Sequence, residues 1–273
     1  MRRLVVVGRG KVGRALAAAA RARRLRVVSH AARALPELIG PCDLVVLASR
    51  DPDLPRLVPL VAAALRAPTA VVHCSGALSA EVLGALRSGG HAVGAMHPLA
   101  SFATARQPPA LEGVALVVSG DAPARRMARR LGRKLGMCCF EPARLDPAAY
   151  HAAAAIVANG SAALAAAAEA LLTRAGFDPS VHGRLLGPLL GSVGENITRL
   201  GPRAALSGPV RRGDVATIER HLAVVGPSGS GAGSTNLSSL YRALALAQLP
   251  VAEAMGEAPE GALARIRALV EDP

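Results

Sequence analysis

The sequence predicts an α/β fold of the doubly wound kind, a mostly parallel sheet covered by helices, followed by an all-α second domain. Three observations carry that expectation. An apolar run at 4–7 leads straight into a glycine-rich turn at 8–13, short Val-rich runs recur between helical stretches as far as residue 140, and strand-like segments stop after Asp146.

The first element is the most informative. Leu4 to Val7 read as a buried strand, and Gly8-Arg9-Gly10-Lys11-Val12-Gly13 follow with the Gly-x-Gly-x-x-Gly spacing. Gly8 lets the chain turn off the strand, Gly10 keeps side-chain bulk away from a pyrophosphate, and Gly13 allows the helix to pack close to the sheet. An Ala-rich helix at 14–24 and a second strand at 25–29 come next, so the pattern sits between strand and helix as a dinucleotide-binding turn requires. The anion would rest on free N–H groups at the helix start. A plain tight turn uses the same glycines, and the flanking elements favour the dinucleotide reading.

Further strands are expected at 44–48, 70–74, 92–96, 116–118 and 137–140, the last after a helix at 123–135. Short, continuous and Val-rich runs suit strands buried on both faces. Helices are expected at 147–174, 179–200, 213–224, 237–249 and 261–270, separated by glycine and proline breakers. The simplest partition is a dinucleotide-binding domain at 1–145 and a helical domain at 146–273. The Ala-rich stretch 148–170 permits close helix packing, and with it we expect a homodimer built through the helical domain. The Gly/Ser-rich run 226–234 follows no strand and reads as a linker or a lid rather than a phosphate cradle.

Composition narrows the function classes. With 273 residues, 51% of them hydrophobic, the chain can bury a full core, and disorder is not expected. No uninterrupted apolar run reaches about 18 residues, so no membrane partner is expected. The first strand begins at Leu4 and leaves no room for a secretory leader, which points to the cytoplasm. Cys42, Cys74, Cys138 and Cys139 form no C-x-x-C pair, so no metal site is expected, and they read as small buried hydrophobes. The net charge of +13 raises nucleic acid as a partner, but the cations are scattered arginines and aromatics are 2% of the chain, which leaves few stacking platforms. No nucleic-acid partner is expected.

Ligands of open α/β sheets lie at the carboxyl ends of the strands. After the second strand come Ser29, His30 and Arg33, with no acid to hold a ribose diol, while Ser29, Arg9 and Arg33 could meet a 2′-phosphate, so NADP is favoured over NAD. Ser49 and Ser75 follow the next two strands and would line the crevice. His97, fixed beside Pro98 at a strand end, is a candidate acid, base or substrate ligand, whereas His73 reads as a loop anchor. His151 and Asn159 share one helix face with Ala155 between them. Arg211 or Arg212 could bind a substrate carboxylate, and Asp214 stands where a helix N-cap is expected.

Taken in order, the glycine turn, His73-Cys-Ser-Gly-Ala-Leu78, His97-Pro-Leu-Ala-Ser-Phe102, Tyr150-His-Ala-Ala-Ala154 through Asn159, and Gly208-Pro-Val-Arg-Arg-Gly-Asp214 resemble a widespread bacterial family. Its members join a Rossmann-like domain to a C-terminal helical domain of unknown function. They are similar to the 6-phosphogluconate dehydrogenase-like superfamily, with ketopantoate reductase, pyrroline-5-carboxylate reductase and the β-hydroxyacid dehydrogenases. The resemblance implies an NADPH-dependent reductase of a small 2-keto acid, with ketopantoate the best single substrate. Ser75 and Asn159 would orient the carbonyl and Arg212 would hold the carboxylate. In the better-known enzymes a lysine four residues before that asparagine donates the proton, and here the position is Ala155, so His97 or His151 would have to replace it. The missing lysine keeps two other readings open: an imine reductase of the pyrroline-carboxylate type, and a nucleotide-binding sensor without catalysis.

Overall fold

A computed structural model of the chain describes residues 1, 3–226 and 237–271. All seven expected strands form, as β1 (Arg3–Val7), β2 (Arg26–His30), β3 (Leu44–Leu47), β4 (Ala70–His73), β5 (Ala92–Pro98), β6 (Ala115–Gly120) and β7 (Cys138–Phe140). They make one sheet in the order β2-β1-β3-β4-β5-β6-β7. Every pairing is parallel except that of β5 with β6. Parallel neighbours need a crossover, and helices α1 (Lys11–Ala22), α2 (Leu54–Ala64) and α3 (Ala122–Lys134), with a 3-10 segment at Ala80–Gly89, supply the connecting helical turns. Between β5 and β6 the chain returns through a loop with no helix, and the direction reverses.

The alternation of strand side chains divides the core between the two faces. Leu4, Val6, Leu44, Val46, Val72 and Met96 pack on α1 and α3 residues such as Leu16 and Leu131. Val5, Val7, Val45, Leu47, Val71 and Val93 pack with Leu57, Val61 and Leu83 on the other side. The register Leu4↔Leu44 and Val5↔Val45 keeps each set in line across the sheet.

Two compact units are present, Met1–Asn159 and Gly160–Pro273. Helices α4 (Pro147–Arg174), α5 (His182–Leu200), α6 (Pro209–Arg212), α7 (Val215–Val225), α8 (Leu237–Met255) and α9 (Ala262–Glu271) follow the sheet. The second unit has its own core, formed by Val210, Ile218, Ala245, Leu249, Ala252, Ile266 and Val270. Helix α8 runs past the stop expected at residue 249. Proline costs a helix one N–H bond, and here burial of Leu249 and Ala252 on either side of Pro250 keeps the helix going. Asp214 caps α7 as expected, accepting from Thr217 N. The Gly/Ser-rich run lies outside the described residues from 227 onward.

Helices α4 and α5 contribute almost nothing to either core. No residue of α4 is buried, and only His182 of α5 is. By length and composition α4 could cross a membrane: its most apolar 18-residue stretch has a mean hydropathy of 1.6 and none of it is buried. The expectation of no such segment rested on uninterrupted apolar runs, and isolated polar residues such as His151 and Asn159 concealed this one. The cysteines also differ from expectation. Cys74 is buried, with its thiol pushed up to about 12 by burial, whereas Cys138 on the edge strand β7 is exposed.

Candidate functional site

The turn between β1 and α1 has the geometry its glycines predict. Gly8 has φ +121°, and a Cβ there would meet the Ala48 carbonyl oxygen at 2.2 Å. A Cβ on Gly13 would stand 2.1 Å from the Gly8 carbonyl oxygen, so the helix packs directly against the turn. Gly10 faces open space, with nothing within 4 Å of its virtual Cβ. It is the N-cap of α1, where no side chain caps the helix and no acid occupies the first turn. The N–H groups of Lys11, Val12 and Gly13 therefore begin a helix with a bare positive end. Beside this turn the Ser49 hydroxyl is buried without a hydrogen-bond partner.

Next to the turn is a cavity of about 800 Å³ whose polar lining is Arg9, Arg14, Arg33, Arg50, Arg56 and Asp53. Five guanidinium groups face one carboxylate. Asp53 is held at 3.0 Å by both Arg50 and Arg56, and the hydrogen bonds from Arg50 and then Arg56 hold its carboxyl below the usual range. Arg9 donates to the Ser29 carbonyl oxygen at 3.1 Å, and the Ser29 hydroxyl accepts from Arg21. Arg9 and Arg33 line this one cavity together with Arg14, Arg50 and Arg56. Arg50 had a usable signal, since it stands three residues past β3, where ligands of such sheets gather. The bare helix end, the open space over Gly10, the orphaned Ser49 hydroxyl and the arginine cavity together fit a nicotinamide dinucleotide.

A second cavity, of about 740 Å³, has Lys11, His97, Phe102, Tyr150, His151 and Asn159 among its lining residues. Lys11 reaches it from the glycine turn, His97 from the end of β5, and the rest of the polar set from the first turns of α4. His97 Nδ1 is 2.8 Å from Tyr150 Oη, with the two rings edge to face at 88°. The His151 ring is 6.2 Å from that of His97. Burial, reinforced by His151, pushes the His97 imidazole down to about 4, so it is neutral at physiological pH. Burial raises the Tyr150 phenol above its ordinary value, so it is neutral as well. Ala155 lines the same cavity and offers no ammonium.

Ser75 is tied into the adjoining loop. Its hydroxyl donates to Asp51 Oδ2 at 2.8 Å and accepts from Ala77 N at 3.1 Å. His73, fully buried, accepts from Ser75 N at Nδ1 and donates from Nε2 to the Ser79 carbonyl oxygen, which fixes its neutral tautomer. Burial lowers its pKa. Arg212 is an exposed residue of the second unit, in a turn where Arg211 is bound to Glu257. Sequence reasoning assigned no role to Tyr150 or Asp51. Tyr150 lies inside a quoted motif and had only its place beside His151 to mark it. Among the described residues no group of three or more His, Cys, Asp or Glu side chains is placed to hold a metal ion.

Comparison with known proteins fits this architecture. Residues 114–248 match a family described as Domain of unknown function (DUF2520). No curated protein matches the chain. Among solved structures, protein TM1727 from Thermotoga maritima is 22% identical with a TM-score of 0.66, over 92% of this chain and 99% of that one. A putative NADP oxidoreductase, BF3122 from Bacteroides fragilis, is 17% identical with a TM-score of 0.69, over 90% and 97% of the two chains. Pyrroline carboxylate reductase from Plasmodium falciparum, solved with NADP bound, is 13% identical with a TM-score of 0.54, over 98% of each chain. Residues 114–248 are thus similar to the DUF2520 family, and the chain has the fold shared by these structures.

Proposed function

We propose that this protein is an NADP-dependent oxidoreductase that reduces a small 2-keto acid, with ketopantoate as the best single substrate. One observation carries the reading: Lys11 of the dinucleotide-type turn lines the same cavity as His97, Tyr150, His151 and Asn159. A cofactor-binding turn and a set of proton-bearing side chains thus share one space. The names of two structures of the same fold, a putative NADP oxidoreductase and a reductase with NADP bound, support it. We place its activity in the cytoplasm.

The N–H groups of residues 11–13 would hold the pyrophosphate, and Arg9, Arg33 and the other arginines of the first cavity would hold a 2′-phosphate. Ser49, with its unpartnered hydroxyl, would meet the nicotinamide end. When bound, the reduced nicotinamide supplies a hydride. The residues of the second cavity would orient the carbonyl and deliver a proton, Asn159 by its amide and the His97 group by hydrogen bonding. Ser75 has already committed its hydroxyl hydrogen to Asp51 and would act on substrate only as an acceptor or through the loop it holds.

A second reading, reduction of a C=N bond, is favoured by Ala155 and by the neutrality of His97, since an iminium already carries its charge and needs no strong acid. The discriminating experiment mixes purified protein with NADPH and panels of 2-keto acids and cyclic imines, following NADPH absorbance. Oxidation with keto acids supports the first reading, and oxidation with imines alone selects the second. Tight NADPH binding with no turnover on either panel would replace both with a nucleotide sensor.

We also propose a homodimer. Helix α4 offers a surface free of charged side chains from 152 to 168 and mostly alanine, while α5 exposes Leu185, Leu189, Leu190, Val193 and Ile197. Small and large apolar surfaces of this kind are complementary, and exchange of the two across a two-fold axis would cover both.

A further inference from the structure

We propose that Tyr150 is the proton donor to the reduced atom of the substrate and that His97 is its positioning residue, with Nδ1–H donated to Tyr150 Oη. The inference deepens the reductase reading and rests on it. It starts from placement: Oη lies 2.8 Å from His97 Nδ1, in a cavity that the glycine turn also reaches through Lys11. The two rings pack edge to face at 88°, and the lack of a side chain at Gly76 leaves room for the imidazole in that orientation.

The chemistry follows from which groups hold protons. A neutral imidazole has one N–H, and if it sits on Nδ1 the phenol hydrogen is free to point at a ligand. Reduction of a carbonyl forms a C–H bond and leaves the π electron pair on oxygen as an alkoxide. The Tyr150 O–H bond breaks, the proton passes to that oxygen, and the electron pair stays on Oη as a phenolate. His97 then gives its Nδ1 proton to Oη while Nε2 takes one from water, which restores the phenol and exchanges the imidazole tautomer. No net charge accumulates on the histidine, in keeping with its surroundings, where His151 and His73 oppose a positive imidazolium and Asp51 favours it. Lys11, the ammonium in the lining, would favour the phenolate once formed.

The test exploits the composition: the chain has two tyrosines and no tryptophan. Tyrosine labelled with ¹³C at Cζ gives two signals, and Tyr241→Phe assigns them. In ligand-free protein, His97→Ala should raise the pH midpoint of Tyr150 by about one unit or more, because the donor that stabilises the phenolate is lost, and His97→Gln should restore part of it. A midpoint that is unchanged or falls means that the phenol donates to Nδ1 instead and overturns the assignment. Circular dichroism and the Tyr241 signal report whether each variant is folded. With a substrate that the wild type reduces, Tyr150→Phe should lower kcat/KM by about 100-fold to 10,000-fold while NADPH affinity stays within about twofold. Retained turnover in Tyr150→Phe overturns the donor role and leaves the reductase reading standing. A wild type that reduces neither panel overturns the reductase reading and the donor role together, while the tyrosine titration still decides whether the pair exists.

Discussion

Gly76 rests against the imidazole of His97, so closely that a Cβ on residue 76 would meet His97 Cε1 at 2.9 Å and Nδ1 at 3.0 Å. It would also meet His151 Cδ2 at 2.9 Å. The absence of a side chain at this position is what lets two histidines and a tyrosine converge. Since the clashing atoms are rings and not backbone, Gly76→Ala should leave the fold intact and displace His97 from Tyr150. We expect kcat/KM to fall by about tenfold to 100-fold with NADPH affinity unchanged, measured by steady-state kinetics and nicotinamide fluorescence. Full activity would show that the pair tolerates the displacement.

Gly10 and Gly13 separate binding from stability within one turn. Gly10→Ala meets nothing within 4 Å, so the thermal midpoint should hold while NADPH affinity falls, because the methyl enters the space over the helix end. Gly13→Ala sets a methyl 2.1 Å from a backbone oxygen that cannot swing away. It should cost about 1 to 3 kcal/mol of stability by overpacking. Calorimetry and fluorescence titration on the two variants check both halves, and equal stability losses would contradict the division.

In the arginine cavity, Arg33→Ala and Arg50→Ala should weaken NADPH much more than NADH. A charge-assisted hydrogen bond contributes about 1.5 to 3 kcal/mol, and both residues are exposed, so the lower end applies. Loss of equal affinity for both cofactors would remove these residues from 2′-phosphate recognition.

The sheet was legible because β1 to β7 are buried Val-rich runs bounded by breakers, and burial on both faces leaves a continuous apolar signature. The continuation of α8 through Pro250 was not legible, since it depends on the tertiary burial of Leu249 and Ala252. His97 stood out by its place at a strand end. Its partner Tyr150 comes from 53 residues along the chain, and no local pattern announces a contact of that span. The same applies to Asp51 and Ser75, which the fold joins across the ends of two strands.

Acid should destabilise the native state through the buried His73 and the partly buried His97. His97 is held down to about 4 and His73 is lowered in the same direction, whereas the unfolded chain titrates near 6.5. Below 6.5 the unfolded state therefore binds protons that the folded state refuses. The stability present above pH 6.5 is lost as pH falls toward 4. Each such group contributes a slope of at most about 1.4 kcal/mol per pH unit, and less for the partly exposed His97. Urea unfolding between pH 7.5 and 5 should show this decline, and His97→Gln should flatten it; an unchanged slope would assign the effect to other groups.

The exposed helices decide the assembly state. Leu189 is 60% exposed and Ile156 74% exposed, and full burial of such side chains stabilises by about 1.5 to 3 kcal/mol each, so leaving this surface in water forgoes a large stabilisation. A bilayer could also cover α4, but α5 carries Arg184, Glu195 and Arg199 on the side opposite its exposed leucines and could not cross a bilayer with it at low cost. A second copy would cover both helices, the alanines of one receiving the leucines of the other. We therefore expect light scattering at micromolar concentration to give the mass of two chains without detergent. Leu189→Glu combined with Val193→Glu should reduce it to one while the sheet unit keeps its NADPH affinity. A wild-type monomer would remove the dimer, and a monomer that partitions into neutral lipid vesicles through α4 would assign the surface to a membrane.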